Sequence, residues 1–223
     1  MHAGPRGTGT ALERFRLNAL VTELAFGGLR GRVYRRVVAL SETAPGDRVL
    51  DVGSSSGYLA RMLAAAAGPS GSVTGVDPSE PAIAYARRHA AANTSFRGGV
   101  AQDLSAFADG SFDVVTSTLA IHHVPARGRQ AAFAEMYRVT RPGGRLLVAD
   151  FDPSRRVLAL HPGAARMQRA AAATGPLEEL AANAGYRVTA SGVLPLLRYV
   201  AAVRDEPGPD RDPAALHSAP AEP

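Results

Sequence analysis

The chain contains neither cysteine nor lysine, and aromatic residues make up only 6% of its 223 positions. Without cysteine there can be no disulfide, thiolate metal site or thiol nucleophile. The missing lysine leaves all 25 basic residues as arginine. Beside heavy alanine and glycine usage, that reads as nucleotide-composition bias and gives the arginines no binding role. The net charge of +5 is therefore not taken as a nucleic-acid footprint. Only the short pairs Arg35-Arg36, Arg87-Arg88 and Arg155-Arg156 occur, and a basic groove with stacking aromatics would need more. No apolar run reaches the roughly 18 residues of a membrane span, and the N-terminus lacks a secretory apolar region, so a cytoplasmic protein without a membrane span is expected.

A hydrophobic fraction of 46% and a charged fraction of 20% suit a soluble globular chain, and 223 residues suffice for one domain with a substantial core. Apolar spacing predicts two helices between Ala11 and about Leu40, the second carrying Val33, Tyr34, Val37 and Val38. From Arg48 onward strands and helices alternate. Strands are predicted at 48–52, 72–76 ending at Asp77, 95–98, 112–117 and 145–149 ending at Asp150. Helices are predicted at 57–67, from Ser79 as cap to about Ala92, and at 127–140, stopped by Arg141-Pro142-Gly143-Gly144. A polar region at 151–175, a helix near 176–184 and strands at about 186–193 and 196–203 follow. The last 19 residues hold five acids, one arginine and five prolines, and are expected to be disordered. The alternation indicates an α/β, Rossmann-like, doubly wound sheet with a parallel core and helices on both faces.

Ligands of such sheets bind at the carboxyl ends of the strands. Asp51, Asp77 and the segments after Gly99 and Thr118 all fall there, far apart in sequence but lining one crevice. Val49-Leu50-Asp51-Val52-Gly53-Ser54-Ser55-Ser56-Gly57-Tyr58 reads as a buried strand, a glycine-punctuated turn and a helix start. Such a turn lets backbone amides approach a ligand. Asp77, twenty residues beyond Gly57, suits both ribose hydroxyls of an adenosine-containing ligand. A dinucleotide fingerprint would need glycines at Ser55 and Tyr58, and Asp51 would repel a pyrophosphate while attracting an ammonium. At Ser55 the sign of φ decides the cost: a Cβ at positive φ loses roughly 1–2 kcal/mol.

These residues resemble those of the class I S-adenosylmethionine (SAM) methyltransferases, in the small-molecule branch. Val49 to Ala60 looks like the family's first motif, and Gly75-Val76-Asp77-Pro78-Ser79 resembles its ribose-binding strand. Asp109 to Val115, Leu119-Ala120-Ile121-His122-His123-Val124 and Glu135 to Leu146 resemble its fourth strand, the loop after it and the turn into the fifth strand. The resemblance implies a seven-stranded sheet whose last strand is antiparallel. It also implies SAM as cofactor, methyl transfer to a small-molecule acceptor, and a monomer or homodimer. Gly53, Ser54, Ser55 and Gly57 would pass under the methionine part, Asp51 would organise its ammonium, and Asp77 with Pro78 would hold the ribose. Val100 stands where the family usually has an acid beside adenine. That contact is then lost or taken over by Gln102 or Asp103, with Ala101 offering its N–H; Leu119 would lie along the cofactor. Three segments are expected: a helical lid over 1–44, a SAM-binding domain over 45–204 and a tail over 205–223.

His122 and His123 are the candidate bases, with the plainer possibility that one bonds backbone and the other lies at the surface. No metal site is expected, since adjacent histidines rarely converge on one ion; His89 and His161 read as surface residues, and Tyr34 and Arg35 as core packing and solvated charge. Two rivals stay open: a catalytically silent SAM-binding or partner subunit, prompted by Ser55 and Val100, and a nicotinamide oxidoreductase, disfavoured by the glycine spacing.

Overall fold

Val49-Leu50-Asp51-Val52 and Val114-Val115-Thr116-Ser117 are short β-branched runs bounded by turn residues, the pattern of strands buried on both faces. The computed structural model describes residues 29–152 and 175–206, with isolated positions at 165, 168, 169 and 172. Helix α1 (Arg30–Leu40) precedes β1 (Arg48–Val52), α2 (Tyr58–Ala67), β2 (Ser72–Asp77), α3 (Glu80–Arg88), β3 (Thr94–Gly98) and β4 (Phe112–Thr118). A single 3₁₀ turn (Ile121–His123), α4 (Ala126–Val139), β5 (Thr140–Phe151), α5 (Leu177–Asn183), β6 (Arg187–Leu194) and β7 (Leu197–Val203) complete the order.

The strands form one seven-stranded sheet in the order β3-β2-β1-β4-β5-β7-β6. β1 pairs in parallel with both β2 and β4, and β7 runs antiparallel to β5 and to β6. The expected architecture is thus observed, last strand included. Strand order reverses between β1 and β4, so the loops leaving these two strands open the crevice where such sheets take their ligands.

Alternation along each strand divides the core. Val49, Val73, Val114 and Leu147 pack with Val33, Val37, Leu59, Leu63 and Ile83 on the face of α1, α2 and α3. Leu50, Val52, Val115 and Val148 pack with Phe133, Met136, Leu177 and Ala181 on the face of α4 and α5. Fully burying such a side chain contributes roughly 1.5–3 kcal/mol. The two clusters clamp the sheet and hold the strand ends still.

Two boundaries differ from the sequence reading. α3 stops at Arg88, and its Ser79 hydroxyl makes no capping bond; the Ser79 N–H instead donates to Asp77 Oδ1 at 2.9 Å. β5 begins at Thr140, upstream of the Pro-Gly-Gly cluster, because Thr140 already pairs with Phe112 and the register shifts between Phe112 and Val114. The breaker residues make a bulge inside the strand. The first predicted N-terminal helix, His161 and the stretch 207–223 lie outside the described residues. Asp205, at the start of the predicted tail, pairs with Arg187 at 2.9 Å.

Candidate functional site

Backbone geometry assembles the site first. After β1, the N–H groups of Gly53 and Ser54 both donate to Val76 O on β2, at 2.8 and 2.9 Å. Gly53 has φ +79, and a Cβ on it would fall 2.3 Å from Cβ of Ala120 in the loop after β4. Glycine is therefore required where the two crevice loops cross. Gly57, at φ +72, caps the N-terminus of α2, and a Cβ there would fall 2.6 Å from the Phe96 ring. The same ring fills the space a side chain at Gly75 would take, where a Cβ would lie 2.5 Å from it. Phe96 thus seats the glycine turn on β2 and β3.

Ser55 has φ +47, so the strained alternative holds. Its backbone N–H donates to Asp77 Oδ2 at 2.9 Å, while Asp77 Oδ1 takes the Ser79 N–H at the start of α3. Asp77 therefore braces the left-handed residue of the turn. Leu119, at the exit of β4, also has positive φ, +58, and its N–H donates to Ala149 O at 2.9 Å. Non-glycine residues held in this region concentrate where a fold is built for a ligand. Ser55 and Leu119 stand on the two sides of the strand-order reversal.

Electrostatics centres on Asp51. Its side chain is buried, Oδ1 accepts from Thr116 Oγ1 at 3.1 Å, and Oδ2 has no partner among the described residues. Burial pushes its pKa up to about 7; the Thr116 hydrogen bond works in the opposite sense and nearby Asp77 adds to the rise. The hydroxyls of Ser54, Ser117 and Thr118, at the carboxyl ends of β1 and β4, are likewise buried without partners among the described residues. Buried polar groups are normally paired, so this concentration marks a place shaped for a polar ligand. A carboxylate oxygen lacking a cation and lodged beside a glycine turn fits the ammonium of SAM.

Above the turn lies a cluster that the sequence did not disclose. The rings of Tyr34 and Tyr58 meet edge-to-face at 5.2 Å, with the Arg30 guanidinium 4.1 Å above Tyr58 and 5.4 Å from Tyr34. Tyr34 is buried and its hydroxyl is pushed up to about 12, first by burial, with Arg30 opposing and Asp51 adding to the rise. The helical spacing of Arg30 and Tyr34 was the available signal. Arg35 is exposed, and so is His89, which stacks on Tyr85 at 4.1 Å.

The remaining candidates divide. Pro78 is exposed beside Asp77. Ala101 is half-buried, and Gln102 sets its amide against Gly128 of α4, where an added Cβ would lie 3.1 Å from Nε2. Val100 is exposed, and Asp103 Oδ1 accepts the Ser105 N–H at 3.0 Å. His122 and His123 are neighbours with ring centroids 3.9 Å apart, and His122 Nδ1 lies 2.6 Å from Asp150 Oδ1. Asp150 is buried, and the sequence reading noticed it only as the end of a strand. Among the described residues no group of three or more His, Asp or Glu is placed to hold a metal ion. Nor is any described helix long and apolar enough to cross a membrane.

Comparison with known proteins agrees with this geometry. A family model described as a methyltransferase domain matches residues 49–144, from β1 into β5. An arsenite methyltransferase of Aquipseudomonas alcaligenes is 40% identical over 122 residues, 50% of this chain and 35% of that protein. A ubiquinone/menaquinone biosynthesis C-methyltransferase UbiE of Ectopseudomonas mendocina is 35% identical over 138 residues, 60% of this chain and 53% of the relative. The chain thus spans between 29% and 60% of the length of such curated relatives. A solved SAM-dependent methyltransferase of Aquifex aeolicus shares the fold, with a TM-score of 0.64 at 19% identity over 77% of this chain and 89% of that one. Sheet order, glycine turn and strand-end acids define a class I methyltransferase domain. Over residues 49–144 the chain is similar to the methyltransferase domain of class I SAM-dependent methyltransferases.

Proposed function

We propose that the chain transfers a methyl group from SAM to a small-molecule acceptor. The observation that carries the reading is Asp51: a buried carboxyl with one oxygen unpartnered among the described residues, at the foot of a turn whose glycines are sterically required. In this reading Asp51 holds the ligand's ammonium, and the backbone from Gly53 to Gly57 passes under its methionine part. Asp77 and Pro78 border the ribose, Ala101 and Gln102 the adenine, and Leu119 lies along the cofactor.

When bound, SAM supplies a methyl group on a sulfonium that departs as a neutral thioether. The chain's own contribution is then to bind, align and shield, and alignment alone supplies much of the rate in such reactions. Rigid strand ends clamped by two core clusters suit that task. Segments 1–44, 45–204 and 205–223 are read as lid, SAM-binding domain and tail, in a cytoplasmic monomer or homodimer; light scattering after size exclusion tests the last point.

Calorimetric titration with SAM, S-adenosylhomocysteine and NADH tests the cofactor. Saturable binding of the first two and none of NADH is expected. Binding of NADH alone sinks the reading in favour of a nicotinamide enzyme, and SAM binding without turnover across an acceptor library leaves only a silent binder.

A further inference from the structure

Among the described residues, every parallel crossover of the sheet runs through a helix except the one from β3 to β4. Residues 99–111 make that crossing with no strand or helix of their own, only an isolated bridge between Val100 and Asp103. Parallel strands are ordinarily joined through a helix, which pairs its own backbone. This crossover takes backbone partners from α4 instead. Glu135 Oε2 accepts the Leu104 N–H at 2.7 Å. Arg138 donates from Nη2 to Leu104 O and from Nη1 to Phe107 O, both at 2.9 Å, and from Nη1 to Asp109 Oδ1 at 2.6 Å. Its own carbonyl takes the Gly110 N–H at 2.9 Å. The two side chains, three residues apart on one side of the helix, also grip each other. Arg138 Nε lies 2.7 Å from Glu135 Oε1, and Nη2 lies 3.0 Å from Oε2. The hydrogen bond from Arg138 holds the Glu135 carboxyl below its ordinary range, so the pair stays ionised at neutral pH. Leu104 fastens the same loop by burial in the cluster of Phe133 and Met136.

We infer that Glu135 and Arg138 are positioning residues for the cofactor's adenine, acting through this loop, and that they set the site's preference for adenine over other bases. The inference rests on the methyltransferase reading and deepens it. In that reading Ala101 and Gln102 border the adenine. Val100 and Asp103 close their bridge around these two residues, and the next residue along is Leu104. The anchor on α4 is therefore coupled directly to the turn that meets the base. Gln102 is held from a second side by the same helix, where its amide lies against Gly128. Helix α4 thus mounts the turn at two places, near its start and near its end. Telling one purine edge from another needs donors and acceptors held to about 0.5 Å. A crossover without its own backbone pairing does not supply that, and the ion pair does. Neither Glu135 nor Arg138 touches the ligand in this reading; both work through the loop.

The test measures binding of S-adenosylhomocysteine and of S-inosylhomocysteine to the full chain by calorimetry. The two differ only at the edge of the base, where an oxygen replaces the amino group and the adjacent ring nitrogen gains a proton. The native protein is expected to prefer the adenine ligand by about tenfold or more. Glu135→Gln sets a neutral amide against the guanidinium and is expected to cut that preference to about threefold or less. Arg138→Met is expected to do the same. Arg138→Lys should fall between it and the native protein, since one ammonium cannot serve acceptors on Leu104, Phe107 and Asp109 together. A purely structural role would lower the thermal midpoint and leave the preference of the folded protein unchanged. A folded Glu135→Gln with the native preference, or a native protein that binds both ligands equally, overturns the inference. Should no variant fold, amide exchange on the native chain decides. S-adenosylhomocysteine is expected to slow exchange across residues 99–111, and unchanged exchange there overturns the inference. Failure of the native protein to bind S-adenosylhomocysteine overturns instead the reading beneath it.

Discussion

The Asp77 carboxylate accepts the backbone N–H of Ser55 at 2.9 Å, and by that bond a serine is kept at φ +47. The acid that faces the ribose in the proposed reading is thus also the brace of the turn beneath the methionine part. Asp77→Ala is expected to lower stability by about 1–2 kcal/mol through the loss of two charge-assisted bonds. Its SAM affinity is expected to fall more than tenfold. Urea unfolding and calorimetry separate the two losses, and a variant that loses stability but binds normally would leave Asp77 with the brace alone.

Ser55→Gly removes a Cβ from a left-handed backbone, a gain of roughly 1–2 kcal/mol. Glycine's extra freedom in the unfolded chain takes back about 0.5–1 kcal/mol. A net stabilisation of about 0.5–1 kcal/mol is expected, with SAM binding equal or tighter. A loss of binding would show that the serine hydroxyl contacts the ligand.

Gly53→Ala is expected to cost about 3 kcal/mol or more, because its Cβ would meet Ala120 at 2.3 Å. Pairing it with Ala120→Gly removes the clash and leaves only the strain of a side chain at φ +79. The double variant should recover part of the loss, and a double-mutant cycle measures how much. Strict additivity would mean that the two loops do not press on each other.

Asp51 titrates near its ordinary value of 3.8 when unfolded and at about 7 in the fold. Between those values the folded protein holds a proton that the unfolded chain has released, so stability falls as pH rises from about 4 to 7. Above pH 7 the cost is complete, on the order of 4 kcal/mol. Asp51→Asn is therefore expected to stabilise the ligand-free protein at pH 8 by about 2–4 kcal/mol and to do little at pH 4. The same variant should bind SAM at least tenfold more weakly at pH 8. In the native protein an ammonium beside Asp51 favours the ionised form, so SAM affinity should rise with pH up to about 7 with proton release. Calorimetry in buffers of different ionisation enthalpy reads that proton directly.

Much of this was legible in the sequence because the informative signals are local. Val49 to Val52 and Ser72 to Asp77 are runs of strand-forming residues with turn chemistry at both ends, and their acids fall at strand ends by count alone. The seven strands and the antiparallel last one came from family resemblance, and the order of the strands needed the structure, since periodicity cannot say which strand lies beside which. What escaped depends on contacts between distant residues. Nothing near Ser55 states the sign of its φ, which Asp77, 22 positions away, helps to hold. Asp150 and His122 meet only because β4 and β5 end in register, and Pro142-Gly143-Gly144 disguised the length of β5. Gln102, a candidate for the adenine contact, has its side chain against Gly128 because α4 passes behind it.

Phe96 occupies volume that Gly57 and Gly75 leave free, and Ser54 Oγ lies 2.7 Å from the place a Cβ on Gly75 would take. Gly57 is bound by its φ of +72 as well, but Gly75 carries no such backbone demand. Size at positions 75 and 96 is therefore a shared quantity. Among homologous chains an alanine at the first should travel with a smaller residue at the second, a covariation that records the shape of the turn.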